Sequence, residues 1–262
     1  MPHKINVLIT VKTYPSPSKS YDEIVCTAGI SDNGNFVRLY PVDYRYRPFS
    51  QWYKKYQWVE VVVEKNEKDP RPESYRPIGE IRVMGNPIGT KNKWEDRKKI
   101  VLKADIQTLC HLQNKSQQEV SLGMIKPSII SDFIIEPTER EWDEKILEKM
   151  NQLRMIGPNL KPLEKIPYDF SYEFKCCDEN CRGHKMKIAD WELGQMYRSM
   201  RDKYKDEDIA CEKVKNKFLN IICAPNRDTY FFVGTVLQFN TWIILGVFWP
   251  PKQNSCTNYG SN

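Results

Sequence analysis

The sequence lacks the features that mark exported, membrane-spanning and disordered proteins. Its longest apolar stretches, such as 241–250, are shorter than the roughly 20 residues that a helix needs to cross a bilayer. No basic segment followed by an apolar run opens the chain, so a signal peptide is not expected. Low-complexity tracts and repeats of fixed period are also missing, which argues against disorder and against repeat architectures. These absences predict a globular cytoplasmic protein without a membrane partner.

The motifs of the commonest enzyme classes are missing as well. The sequence has no phosphate-binding P-loop, no dinucleotide fingerprint, no GxSxG nucleophile elbow and no HExxH metalloprotease motif. Nucleotide-driven and common hydrolase chemistries therefore have no support, and a non-enzymatic function is favoured. The formal net charge of +6 permits a polyanionic partner without requiring one.

What the sequence does contain is cysteine in a tight cluster. Three of the eight cysteines and one of the three histidines lie between residues 176 and 184. In a reducing cytosol, clustered cysteines are metal ligands more often than disulfides. Zinc takes four thiolate or imidazole ligands in a tetrahedron, and short loops bring such groups together readily. The sequence therefore predicts a structural Zn²⁺ site with Cys176, Cys181 and His184 as ligands.

The spacing within the cluster does not determine the fourth ligand. Cys177 and Cys211 are the leading candidates, although adjacent cysteines such as Cys176 and Cys177 rarely both point at one ion. Further candidates remain open: Cys223, Cys110, His111 and Asp190.

A second interpretation of this region is catalytic. His184, Asp190 and Glu192 could form the metal site or the acid/base pair of a metal-dependent nuclease or hydrolase. However, Asp190 precedes a helical pattern over 190–204, where aspartate is a common N-cap and a glutamate is favourable in the first turn. We favour the N-cap interpretation.

Aromatic and basic side chains are interleaved over residues 44–56. Single-stranded nucleic acid is held in this way, because rings stack on bases while cations contact phosphates. Phosphate contacts are predicted for Arg45, Arg47, Lys54 and Lys55, and stacking for Tyr46, Trp52 and Tyr53. The alternatives are that the rings fill the core and the charges are solvated, or that the segment docks a protein partner.

Hydrophobic patterns and turn signals predict an α+β protein. Strands are predicted over 5–11, 24–30, 36–41, 58–65, 78–84, 129–135, 168–175, 229–233 and 241–248, with 58–65 buried on both faces. Helices are predicted over 94–103, 104–118, 139–153, 190–204 and 206–222. The Asn33-Gly34 pair predicts a β-hairpin turn. The predicted organisation is a β-rich domain with a helical insert over 1–156, a proline-containing connector over 157–167, and a zinc-containing α+β domain over 168–252.

One part of the N-terminal region carries a family pattern. The strand Val25-Cys26-Thr27-Ala28-Gly29-Ile30 ends in an Ala-Gly pair, and after a hairpin the segment Phe36-Val37-Arg38-Leu39-Tyr40-Pro41 has the order aromatic, apolar, arginine and proline. This stretch resembles the opening of dual OB-containing domain proteins, which occur in bacteria and many of which are thought to act in genome defence. The resemblance implies an OB-like or similar small barrel that binds nucleic acid, with Arg38 near its edge, and a role in antiviral defence.

These observations together predict a nucleic-acid-binding accessory or sensor protein with a structural zinc site. Single-stranded nucleic acid or RNA is the favoured partner. The alternatives are the metal-dependent nuclease or hydrolase described above and a protein-interaction subunit of a larger complex.

Overall fold

The structure, a computed structural model, describes residues 1–17, 23–153, 163–237 and 241–253. The strands are β1 His3–Lys12, β2 Ser16–Pro17, β3 Glu23–Ile24, β4 Thr27–Ser31, β5 Phe36–Leu39, β6 Trp58–Lys65, β7 Ser74–Met84, β8 Ile106–Gln107, β9 Leu122–Ile125, β10 Ile129–Pro137, β11 Tyr168–Lys175, β12 His184–Lys187, β13 Tyr230–Val236 and β14 Thr241–Phe248. The helices are α1 Lys91–Val101, α2 Leu109–Gln113, α3 Glu144–Leu153, α4 Trp191–Tyr204 and α5 Glu207–Lys215, with 3-10 turns at Tyr44–Tyr46 and Phe49–Gln51 and a π-helical turn at Asn216–Ile221. The protein is therefore of mixed α+β class and rich in sheet, as the sequence predicts.

Five strands close into a barrel in the order β1-β4-β5-β7-β6, called the N-terminal barrel below. Neighbouring strands are antiparallel except β5 and β7, which run parallel with Arg38 opposite Ser74. The predicted hairpin joins β4 to β5, and Gly34 adopts the positive φ of +84° that its turn requires. Along β6 every second residue is buried, so the prediction that this strand is buried on both faces is wrong. Only one face of β6 therefore lies inside the barrel.

The remaining strands form two sheets, called the C-terminal sheets below: β10-β11-β12 and β14-β13-β9-β8. Strand β9 continues after a short turn into β10, and Ile188, just after β12, forms a parallel bridge with Ile244 of β14. Between the sheets lies an apolar core that contains Phe133, Tyr172 and Phe231 and is covered by α4 and α5. Strand β13 pairs with β9, which precedes the predicted connector 157–167 in the chain. Residues 157–162 of that connector lie outside the described residues.

Strand β4 is buried on both of its faces, since all five of its residues are buried. Ala28 and Ile30 pack in one apolar cluster with Leu122, Met124 and Phe232 of the C-terminal sheets. The N-terminal barrel and the C-terminal sheets therefore share a continuous core.

The middle of the chain differs most from the sequence prediction. The helix predicted over 104–118 shrinks to α2, because β8 pairs with β9 and the polar residues after Gln113 have no apolar face to bury. The first turn of α1 is left-handed at Asn92, Lys93 and Trp94.

The helix predicted over 190–204 is confirmed, as is its N-cap. No helix in the described ranges is long and apolar enough to span a bilayer.

Candidate metal centre and neighbouring surfaces

The cysteine cluster forms the connection of a β-hairpin. Strand β11 ends at Lys175 and β12 begins at His184, which pairs with Phe174. Gly183 has a φ of +98°, a backbone conformation that residues with a side chain rarely adopt. The glycine allows the chain to turn into β12 at this point. The Cys176 backbone N–H donates to the Cys181 sulfur over 3.3 Å. The hairpin alone therefore brings two thiols and one imidazole to one place.

A fourth donor comes from the short helix α2. Thr108 caps this helix by accepting a hydrogen bond from the His111 N–H, and Cys110 lies in its first turn. The Cys110 and Cys181 sulfurs each lie 3.3 Å from His184 Nε2. The donor atoms of Cys110, Cys176, Cys181 and His184 all lie within 4.8 Å of one another. These four side chains could hold a metal ion.

The structure thus brings together the three ligands predicted from the sequence, and the fourth is Cys110, one of the candidates left open, rather than Cys177 or Cys211. Cys177 is exposed and lies outside the group, because the side chain next to Cys176 points away from the hairpin interior. Cys211 lies on α5, also outside the group. Cys110 is 66 residues before Cys176, so no local spacing in the sequence connects the two.

The surroundings of the four side chains set their protonation. Burial raises the pKa of the Cys176 thiol and raises that of Cys110 to about 12. Burial acts in the same direction on Cys181, but the N–H groups of Cys176 and Gly183 donate to its sulfur and the net result is a lowered pKa. Burial also lowers the pKa of His184, which favours the neutral imidazole that metals bind. A cation entering this group would displace thiol protons.

Within segment 44–56, two of the residues predicted to contact nucleic acid are buried. Tyr53 is fully buried, and its hydroxyl lies 2.6 Å from Thr27 Oγ1. Lys55 is enclosed too, with Nζ 2.8 Å from Asp190 Oδ2 and 3.1 Å from Glu192 Oε2. Both side chains are enclosed and have partners inside the protein. The predictions that Tyr53 stacks on a base and that Lys55 contacts a phosphate are therefore corrected: both residues have structural roles.

Arg38 likewise lies inside the protein rather than near a barrel edge. Its side chain is 1% exposed, and its terminal nitrogens donate to Ser74 Oγ, Ser121 Oγ and the Ser121 carbonyl. The face of β5 that carries Arg38 is covered by the residues that precede β9, which excludes contact with a nucleic acid at the surface.

The other predicted contact residues lie closer to solvent. Arg45 donates to Glu23 over 2.7 Å and Arg47 to Asp43 over 2.8 Å, while Tyr46 is half-buried. Trp52 and Lys54 are exposed. Of these five side chains, Trp52 and Lys54 are the exposed ones, and the two arginines are already paired with carboxylates.

Four rings form a continuous line, called the aromatic row below. The centroids of Phe49 and Trp52 are 5.6 Å apart, those of Trp52 and Tyr44 5.4 Å, and those of Tyr44 and Trp191 5.4 Å. Phe49, at 83% exposure, is the outermost ring and was not among the predicted site residues. The pattern of aromatic residues over 44–56 pointed to it, whereas Trp191 is contributed by a distant helix.

A lysine is held at the inner end of the aromatic row. Lys12 Nζ lies 4.2 Å from the centroid of Tyr44 and 4.3 Å from that of Trp191. Burial, together with the nearby charge of Lys55, lowers the pKa of Lys12 to about 8. An anion beside this amine would stabilise its charged form.

The alternative catalytic set is not assembled. His184 belongs to the metal group, whereas the Asp190 carboxylate binds Lys55 and accepts the Glu192 N–H as the N-cap of α4. Within the described ranges, no three-residue ligand group contains His184 together with Asp190 and Glu192. Asp190 and Glu192 therefore have a structural explanation.

Family comparisons divide the chain close to the end of α1. The family model described as a domain of unknown function (DUF8757) matches residues 104–261, more than half of the chain. The chain belongs to the DUF8757 family. A second domain of unknown function, DUF8758, matches residues 3–103. The comparison with curated proteins gives no match. All four candidate metal ligands lie in the DUF8757 segment, whereas the aromatic row takes Trp191 from DUF8757 and its other three rings from the DUF8758 segment.

Proposed function

We propose that this protein binds single-stranded nucleic acid along the aromatic row and that a structural zinc ion stabilises its C-terminal sheets. The observation that carries the first part is the exposed Phe49–Trp52 pair, which continues inward to a lysine held between two rings. The role of an accessory or sensor protein in bacterial defence rests on the resemblance of residues 25–41 to dual OB-containing domain proteins.

The strand order supports an OB-like interpretation of the N-terminal barrel. OB folds are five-stranded Greek-key barrels that bind oligonucleotides. Numbered by their order in the chain, the five barrel strands have the order 1-2-3-5-4, with the third and fifth parallel.

The C-terminal sheets repeat this connectivity. If β9 and β10 are taken as one bent first strand, then β11, β12, β13 and β14 follow, and the order is again 1-2-3-5-4. The parallel bridge from Ile188 to Ile244 joins the third and fifth strands, and β13 returns to β9. This repetition supports two OB-like units in one chain, in keeping with the resemblance to dual OB-containing proteins.

The packing of the two units affects where a nucleic acid would bind. OB folds commonly bind oligonucleotides on the face of their second and third strands. In the N-terminal barrel these strands are β4 and β5, and β4 is covered by the C-terminal sheets. The aromatic row lies instead on the segment between β5 and β6 and on the start of α4. We therefore place the nucleic acid beside the barrel.

The chemistry of the aromatic row suits a single strand. Bases can stack on the exposed rings of Phe49 and Trp52 without regard to sequence. Phosphates can be bound by Lys12 and by the exposed Lys54, which line one surface groove with Trp191. Glu192 also lines this groove, and its carboxylate is already paired with Lys55.

The donor set of the metal group supports zinc. Three thiols and one imidazole are a common structural zinc combination, and four protein ligands leave no open coordination position. Bound zinc would link α2 to the β11–β12 hairpin through coordination bonds. The role proposed for the ion is therefore structural rather than catalytic.

Fluorescence anisotropy with labelled oligo(dT) and oligo(U) tests the nucleic-acid proposal. Stacking of a base on an aromatic ring contributes about 1–3 kcal/mol, so Phe49→Ala or Trp52→Ala should weaken binding by roughly 5- to 150-fold. Tyr204→Ala removes a ring at the far end of α4 that is exposed to the same extent as Trp52, and it should leave affinity unchanged. Affinity should also fall steeply with added salt, because phosphate contacts release counterions.

Two results would overturn the proposal. The first is the absence of oligonucleotide binding at low salt by the zinc-loaded protein. The second is equal binding by the Phe49→Ala and Tyr204→Ala variants. Salt-insensitive capture of a protein through Phe49 and Trp52 would instead identify the aromatic row as a protein-docking surface.

A further inference from the structure

A second group of cations and aromatic rings is not used by the function proposed above. The ring centroids of Trp94 and Trp249 lie 5.0 Å apart. Two cations lie over the Trp249 ring: Lys217 Nζ is 4.5 Å and Arg227 Cζ 4.9 Å from its centroid. Arg97 Cζ lies 5.0 Å from the Trp94 centroid. These five residues are called the Trp249 cluster below.

Separate parts of the chain form this cluster. Trp94 and Arg97 lie on α1, and Lys217 lies in the π-helical turn that follows α5. Arg227 precedes β13, and Trp249 follows directly after β14. Trp94 is buried, whereas the other four residues are half-buried. Tertiary packing therefore holds three cations together at the surface.

The three cations of the cluster have no carboxylate partner. Among the described residues, no Asp or Glu forms an ion pair with Arg97, Lys217 or Arg227. Asp228 is next to Arg227 in the chain, but it pairs with Lys126 over 2.8 Å. An aromatic face attracts a cation without neutralising its charge. The cluster therefore presents positive charges that an anion can still approach.

Burial and mutual repulsion act against these charges. Burial lowers the pKa of Lys217, and the charge of Arg227 lowers it further. Burial also lowers the pKa of Arg97. A bound anion would oppose both effects, because an opposite charge favours the charged form of an amine or guanidine. A fold that gathers like charges without an internal counter-ion has the features of an anion site.

The cluster is continuous with the surface groove that contains Lys12. Lys55 Nζ binds Glu192 of that groove, and Arg97 Cζ lies 3.8 Å from the ring centroid of Tyr56, the next residue in the chain. The charge of Lys55 lowers the pKa of Glu192, and the charges of Arg97 and Lys12 lower it further. Glu192 therefore lies close to both cations, and its own charge is offset by Lys55.

We propose that a single strand bound at the aromatic row continues past Glu192 to the Trp249 cluster, where Lys217 and Arg227 contact its phosphates. This inference rests on the nucleic-acid binding proposed above and adds a second contact region to it. Phosphate suits the cluster because ammonium and guanidinium groups form strong charge-assisted hydrogen bonds to its oxygens. The Trp249 ring already has two cations over it, so stacking of a base there is not part of the proposal.

Fluorescence anisotropy with oligo(dT) of increasing length tests this inference on the full-length, zinc-loaded protein. Lengths from about 4 to about 16 nucleotides cover the range of single-strand site sizes of OB folds. With long oligonucleotides, Lys217→Gln and Arg227→Gln should each reduce the slope of log affinity against log salt by about 0.7, the share of one single-strand phosphate. At low salt this corresponds to a loss of affinity of roughly five- to tenfold. The loss should be absent for the shortest oligonucleotides, because only a longer strand reaches the cluster from Phe49.

A lysine elsewhere on the surface provides the matched control. Lys203 Nζ also lies over a ring, 5.0 Å from the Tyr204 centroid, but at the far end of α4. Lys203→Gln removes the same charge from the protein and should leave affinity and salt slope unchanged. Lys217→Arg keeps the charge and should bind as the wild type does. If either glutamine variant of the cluster does not fold, the other one decides.

Several results would overturn the inference. One is an unchanged affinity and salt slope of Lys217→Gln and Arg227→Gln at every length, and another is an equal loss in Lys203→Gln. A loss of the same size at every length would contradict a path that only longer strands complete. Weaker binding of inorganic triphosphate by these variants, with no effect on oligonucleotides, would instead assign the cluster to a free phosphate ligand.

The outcomes separate this inference from the proposed function. If the wild type binds oligo(dT) and loses affinity on Phe49→Ala but not on Lys217→Gln, the aromatic row remains a binding surface and only the extended path is wrong. Absence of oligonucleotide binding by the wild type would overturn both.

Discussion

Replacement of Cys110 by alanine is expected to remove stoichiometric metal binding, although the β11–β12 hairpin keeps its own three donors. Structural zinc sites in zinc-finger peptides contribute about 10–16 kcal/mol of binding free energy. If four ligands share this equally, Cys110 accounts for about 2.5–4 kcal/mol, which corresponds to a loss of affinity of roughly 50- to 1,000-fold. Cys110→Ser keeps the size of the side chain and separates loss of the ligand from loss of packing.

Cys177→Ala provides a matched control for this experiment. Cys177 is adjacent to Cys176 in the hairpin, yet it is exposed and lies outside the group of four donors. Zinc content can be measured by plasma mass spectrometry after dialysis against a weak chelator, and thermal unfolding can be followed with and without the chelator. The wild type and Cys177→Ala should each retain one zinc per chain, and Cys110→Ala should retain little.

The reverse pattern would refute the assignment of the fourth ligand. If Cys177→Ala lost the metal and Cys110→Ala kept it, the hairpin would have to rearrange around a fully local set of ligands. A wild-type protein that contains no metal and is equally stable after replacement of Cys176 would refute the metal site altogether.

Three further predictions concern the fold and the aromatic row. Lys55→Met leaves the buried Asp190 carboxylate without its counter-charge, and should lower the free energy of unfolding in urea by about 3–5 kcal/mol. Since the pKa of Lys12 falls from 10.5 to about 8 on folding, the unfolded chain binds more protons between these values, and stability relative to Lys12→Met should rise with pH across that window. Gly29→Ala should destabilise the barrel by about 1–3 kcal/mol or more, because its Cβ would lie 2.2 Å from a backbone oxygen of β1, whereas Gly89→Ala meets nothing within 4 Å and should be neutral.

Each of these has a distinct contradicting result. Equal effects of Lys55→Met and of Glu192→Gln, which alters only the exposed carboxylate of the same cluster, would show that the buried pair is not the important one. A Lys12 amine that titrates at its ordinary value in NMR would contradict the enclosed environment described for it. Equal stability of the two glycine variants would contradict the close packing of β4 on β1.

Local patterns in the sequence predicted much of the fold. The β-branched run of β1, the Asn33-Gly34 turn and the aspartate before α4 each act over a few residues, and the structure contains the corresponding strand, hairpin and N-cap. The same holds for Cys176, Cys181 and His184, because a hairpin connection brings them together without help from the rest of the chain.

Features that depend on distant parts of the chain could not be predicted in this way, and Cys110 could only be named as one of several candidates for the fourth ligand. Cys110 joins the metal group only because α2 packs against the β11–β12 hairpin. Lys55 and Tyr53 have the composition of a binding segment, yet they are enclosed by Asp190 and Thr27, which lie far away in sequence. Burial of these residues follows from tertiary packing, and sequence periodicity does not report it.

The strand buried on both faces has a consequence for how the chain can be divided. Cutting at the boundary between the two family matches, after residue 103, would leave Ala28 and Ile30 as part of a bare apolar wall on one fragment and Leu122, Met124 and Phe232 on the other. Separately expressed fragments should therefore be insoluble or should reassociate when mixed, and the intact chain should melt in a single calorimetric transition. In a genome that carries the two segments as separate genes, the two products would have to associate for either one to remain folded and soluble.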